Sequence, residues 1–158
     1  MGIPKLKLTD YIDKAFDILP VNSFINKGRC GVGGTTLELK TGRNTILVVP
    51  TVGIIEDKRD EINKEGDLEY PDLLCVYGEM LIEEIVDFLI DDIPNKKIMV
   101  TPDSLSKIVK AAESILMEDE LYSDFYIMLD ECHSPITEKY RKKMVDMIEI
   151  FFRFGTLV

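Results

Sequence analysis

Phe125-Tyr126-Ile127-Met128-Leu129-Asp130-Glu131 is an apolar and aromatic run that ends in two acids. It reads as a β-strand, and it does not alternate apolar with polar. A strand of that kind is covered on both faces, which calls for a parallel sheet with helices on each side. Similar runs lie upstream. Thr45 to Val49 closes on Pro50-Thr51, Leu73 to Tyr77 follows, and Lys97 to Val100 closes on Thr101-Pro102-Asp103. Val21 to Ile25 is a shorter candidate strand, and Thr156 to Val158 begins like another. Helical spacing or composition separates them over Thr9–Leu19, Thr35–Leu39, Ile54–Ile62, Met80–Ile90, Ser104–Leu116 and Glu138–Phe152. Strand and helix alternate, so the expected class is α/β, with a mostly parallel sheet inside a three-layer sandwich. Ligands in such sheets gather at the C-terminal ends of the strands. The unusual residues of this chain all follow strands.

The chain has 158 residues, 46% of them apolar, which suits one domain with a substantial core and no need of a staple. No linker or repeat divides it. It carries 19 Lys+Arg against 29 Asp+Glu, a net charge of −10. That argues against a free-standing module held to nucleic acid by bulk charge. Cys30, Cys75 and Cys132 are odd in number and scattered, and His133 is the single histidine. Neither a disulfide framework nor a structural zinc site is expected. The longest apolar stretch, 46–55, is too short for a bilayer, and no signal core opens the chain. A cytoplasmic protein without membrane contact is the expectation. The acids at 79, 83, 84, 87, 91 and 92 read as a solvated helix face, as do Lys139, Arg141, Lys142 and Lys143. Met144, Met147, Phe151 and Phe152 read as core.

Two stretches carry chemistry. Gly28-Arg29-Cys30-Gly31-Val32-Gly33-Gly34-Thr35 fits the phosphate-cradling pattern G-x-x-x-x-G-K-[ST] at every place but one, because Gly34 stands where the lysine belongs. By itself it reads equally as a Gly-rich turn. Asp130 and Glu131 at a strand tip suit a Mg²⁺ ligand and a water-activating base, or two solvated acids. The two together, in this order and each after a strand, point to a nucleotide site. Thr35 is then where the hydroxyl ligand of Mg²⁺ would sit.

Asp130-Glu131-Cys132-His133 resembles the D-E-x-H box of superfamily 2 (DEAD/DEAH-box-like) helicases. Gly31-Val32-Gly33-Gly34-Thr35 resembles their GxGKT motif without its lysine, Ile46 to Thr51 their motif Ia, and Ile98 to Leu105 their TPxxL-type motif. The resemblance spans about 20–158. It implies a RecA-like P-loop NTPase fold and the first motor domain of a helicase-like ATPase. Arg29, Cys30, Gly31, Val32, Gly33, Gly34, Thr35 and Thr36 would bind ATP. Thr35 and Asp130 would hold Mg²⁺, Glu131 and Asp130 would be catalytic, and His133 would couple the nucleotide and nucleic-acid sites. Pro50, Thr51, Thr101, Pro102, Asp103 and Ser104 would touch a DNA or RNA backbone, with Lys58, Arg59 and Lys107 as nearby cations; Val52 replaces the family's arginine after Pro-Thr. The chain stops before motif III, which implies a piece of a longer protein whose second RecA-like domain lies beyond residue 158. Gly34 puts hydrolysis in question. The alternatives are a non-catalytic scaffold that retains the fold, and a deviant Walker A ATPase using Arg29 or Lys27.

Overall fold

The computed structural model describes residues 10–23, 25, 31–130 and 141–155, with 141–145 described by their backbone alone. Its sheet is formed by β1 (Asn44–Val48), β2 (Leu73–Val76), β3 (Lys97–Val100) and β4 (Phe125–Leu129). The order is β2-β3-β1-β4 and every pairing is parallel. The helices are α1 (Gly34–Leu39), α2 (Val52–Arg59), α3 (Ile82–Ile90), α4 (Leu105–Ser114), α5 (Glu118–Asp124) and α6 (Arg141–Phe151). This is an α/β sandwich with helices on both faces of a parallel sheet, consistent with a RecA-like arrangement.

The continuous apolar strands serve two cores at once. Ile46, Val48, Val76, Ile98, Val100 and Ile127 meet Ile85 and Leu89 of α3, Ile108 and Ala112 of α4, and Met147 of α6. Leu47, Val49, Met99 and Met128 point the other way, toward Leu39 of α1, Ile55 of α2 and the preceding residues Ile12, Leu19 and Val32. Alternate residues on a pleated strand face opposite sides, so a strand buried on both has no polar positions to spare. In the central strand Ile46, Leu47 and Val48 are fully buried.

Several expected elements take a different form. The helical spacing in 9–19 yields only a 3₁₀ turn over Ile12–Lys14 among the described residues. Ile12 and Leu19 are buried, but Ile18 is exposed, so the segment lies along the sheet face as a strap. Among the described residues of 21–25 none is in a strand. The helix expected over 54–62 starts earlier and ends at Arg59. Helix α5 carries no apolar stripe in its sequence to announce it; only Leu121 in it is buried. At the end of α6, Met147 is core as expected, but Phe152 is 71% exposed. The expected strand at 156–158 lies outside the described residues. The acids at 79, 83, 84, 87, 91 and 92 are all exposed, as their spacing implies.

Candidate functional site

The strand order reverses between β1 and β4, because the chain runs from β1 outward to β2, returns to β3 and then crosses to the far side of β1. A crevice opens at the strand C-terminal ends at such a point. The Asp130 N–H donates to the Val48 carbonyl at 2.9 Å, which fixes the acid beside the end of β1. Asp130 is 8% exposed. The Thr35 hydroxyl donates to Asp130 Oδ2 at 2.6 Å. Ninety-five positions of sequence separate these two residues.

The loop leading to Thr35 depends on glycine. Gly31 has φ +72° and Gly33 φ +84°, the left-handed region that residues with a Cβ seldom adopt. Gly33 is the N-cap of α1, and its carbonyl accepts from Leu37 N–H at 2.8 Å. Val32 between them is buried, and its carbonyl accepts from Ile12 N–H at 2.8 Å. The strap therefore pins the loop, and a Cβ on Gly33 would sit 3.5 Å from Tyr11 Cδ1. Gly34 is buried, Gly31 is exposed, and Thr35 and Thr36 are half-buried.

The far end of α1 is anchored as firmly. Glu38 is fully buried. Its carboxylate accepts from Arg43 Nε at 2.8 Å and Nη2 at 2.6 Å, and from Thr45 Oγ1 at 2.7 Å. Lys97, in register with Thr45 across the sheet, donates from Nζ to the Glu38 carbonyl at 2.9 Å, to Thr41 Oγ1 at 2.9 Å and to the Arg43 carbonyl at 2.7 Å. Burial pushes the Lys97 ammonium down to about 8, with Arg43 adding to the fall and Glu38 opposing it. Arg43 also lies over the Tyr126 ring of β4, 4.4 Å from its centroid. The network ties α1 to three strands at their N-terminal ends and so sets where Thr35 stands at the other.

The expected nucleic-acid residues divide. Thr51 and Asp103 are exposed and Pro50 and Pro102 half-buried, but Thr101 and Ser104 are buried. Thr101 N–H donates to the Val76 carbonyl at 3.4 Å, and Thr101's own carbonyl accepts from Ser104 N–H at 3.0 Å, so both shape the end of β3. The nearby cations are engaged within the molecule. Arg59 pairs with Asp60 at 2.8 Å, and Lys107 Nζ donates to the Gly78 and Met80 carbonyls at 2.7 and 3.0 Å. Lys58 Nζ donates to Thr36 Oγ1 at 3.0 Å and Glu61 Oε2 at 2.5 Å. Lys27, Arg29, Cys30, Glu131 and His133 lie outside the described residues.

Among the described residues no three His, Cys, Asp or Glu side chains come together. One carboxylate beside one hydroxyl is nonetheless a set that suits Mg²⁺, which keeps waters and takes substrate phosphates as further ligands. Cys75 is a free thiol that burial raises to about 11, leaving it unreactive at neutral pH. Among the described residues no helix is long and apolar enough to cross a membrane. No protein-family model matches this sequence, and no curated protein or solved structure matches it at a significant level.

Proposed function

We propose that this chain binds ATP with Mg²⁺ as the first motor domain of a superfamily 2 helicase-like protein. The observation that supports the reading is the 2.6 Å contact between Thr35 Oγ1 and Asp130 Oδ2 at the strand-order reversal. In the motif-based reading these are the hydroxyl and carboxylate that hold Mg²⁺, and folding has put them side by side. Bound there, Mg²⁺ supplies charge neutralisation on the phosphate oxygens. Gly31 and Gly33, with left-handed backbone, allow successive amides to curve round an anion. Glu131 is the proposed base for the attacking water. With Gly34 in the lysine's place the loop itself supplies no cation, and an uncompensated loss of one preorganised electrostatic donor costs ~10²–10³ in rate. A second RecA-like domain would complete the site, and nucleic acid would reach Pro50, Thr51 and Asp103, the more exposed of the expected contacts.

Calorimetry with Mg-ATP tests the reading. The unaltered chain is expected to bind, and Asp130→Asn is expected to remove the dependence on Mg²⁺. A chain that shows no binding, while Gly34→Lys does bind, would leave the scaffold reading in its place. That second reading rests on Gly34 itself.

A further inference from the structure

Helix α2 directs Lys58 back over the first turn of α1. Its side chain is 19% exposed, low for a lysine. Two of its three N–H bonds go to Thr36 Oγ1 and Glu61 Oε2. The third has no acceptor among the described residues. The Tyr70 ring lies alongside, its centroid 5.7 Å from Lys58 Nζ. The Tyr70 hydroxyl oxygen is buried and makes no hydrogen bond of good geometry among the described residues, the Thr36 side chain being the polar group near it. Burial, together with the Glu61 and Glu69 carboxylates, raises this phenol to about 12, so it remains an O–H donor at neutral pH. One nook thus holds an ammonium N–H with no acceptor among the described residues and a buried phenol, both beside the Thr36 side chain. Buried polar groups are almost always partnered, and a local surplus of donors beside a cation suits an oxyanion.

The nook adjoins Thr36, the residue after Thr35, whose hydroxyl touches Asp130. The loop itself offers no cation at position 34. We propose that Lys58 is the phosphate-binding cation of this site, reaching in from α2 in place of a lysine in the loop, with Glu61 as the counter-ion it leaves when nucleotide binds. The long flexible stem of lysine permits that swing without moving the helix. This assignment rests on the nucleotide-site reading above.

Binding of Mg-ATP to the full chain by calorimetry separates the two claims. Lys58→Met keeps the apolar stem and is expected to weaken binding roughly tenfold to a hundredfold, the size of one charge-assisted contact. Glu61→Gln is expected to act in the opposite direction and tighten binding several-fold, since the ligand no longer competes for Lys58. Adding Gly34→Lys to Lys58→Met is expected to restore affinity. A merely structural Lys58–Glu61 pair would make both single variants weaker and would not be rescued from position 34; that pattern overturns the assignment. So does Lys58→Met binding as tightly as the unaltered chain, which leaves the nucleotide site standing. An unaltered chain that fails to bind removes both. Lys58→Gln serves the same comparison should Lys58→Met fail to melt cooperatively.

Discussion

Glu38 has no exposed surface, yet it is an acid in a six-residue helix whose apolar neighbours are Leu37 and Leu39. Its carboxylate pairs with Arg43 at 2.6 Å, and the Arg43 side chain is itself only 12% exposed. Removing one member of such a pair strands the other, which costs far more than the pair contributes. Glu38→Ala is therefore expected to lower stability by about 3–5 kcal/mol, read from the urea midpoint at constant m-value. Because Glu38 anchors the end of α1 opposite Thr35, the same variant should also loosen the Thr35–Asp130 contact. At this scale the Thr35–Asp130 contact joins two residues that the sequence offered as site candidates. Thr35 and Asp130 were legible because a Gly-rich loop and a strand-terminal acid are local patterns. Glu38, Lys97, Lys58 and Tyr70 were not, because each acquires its role from partners distant in the chain. Lys58 and Lys107 read as cations near the expected nucleic-acid contacts, and only folding showed that Thr36, Glu61 and the Gly78 and Met80 carbonyls already hold them.

Helix α4 shows how an element can end against its own sequence preference. Leu116 N–H donates to the Glu113 carbonyl at 3.2 Å and Met117 N–H to the Ala112 carbonyl at 2.9 Å. This is the Schellman pattern, and its pivot wants a left-handed residue, usually glycine. Leu116 occupies it, at φ +58° and 90% exposed. It carries the steric cost of left-handed backbone and leaves an apolar side chain in water. Leu116→Gly is expected to raise stability by ~1 kcal/mol, an upward shift in melting temperature of a few degrees. Without glycine to mark the stop, the sequence extended this helix to 116. Segment 9–19 failed in the other direction. Its spacing at 12, 15, 16 and 19 fits a helix, but Ile12 and Leu19 are held by the sheet face and Val32, so packing overrides the periodicity. The strands were the elements read best, since a continuous run of Val, Ile, Leu and Met has few alternatives.

Across the whole molecule the shifted groups set how stability varies above neutral pH. Lys97 sits at about 8 when folded against 10.5 when free, so its burial is a cost in full below pH 8 that disappears as pH rises toward 10.5. Cys75, raised from 9.0 to about 11, and Tyr70, raised from 10.0 to about 12, act the other way. Their folded forms hold the proton that the unfolded chain gives up, so stability falls above pH 9 and falls further above pH 10. The expected profile rises by ~1 kcal/mol between about pH 8 and 9, levels, and then declines. Lys97→Met should remove the rise and keep the decline, as urea titrations at stepped pH would show. The sequence by itself determined the class of fold, because strands buried on both faces and helices between them admit little other than a parallel sandwich. It also determined which loop and which acids are candidates for a site, because those patterns are local. The strand order β2-β3-β1-β4, the meeting of Thr35 with Asp130 and the burial of Glu38 and Lys97 were decided only in three dimensions. Order and contact depend on which distant surfaces bury each other, and no single window of sequence carries that information.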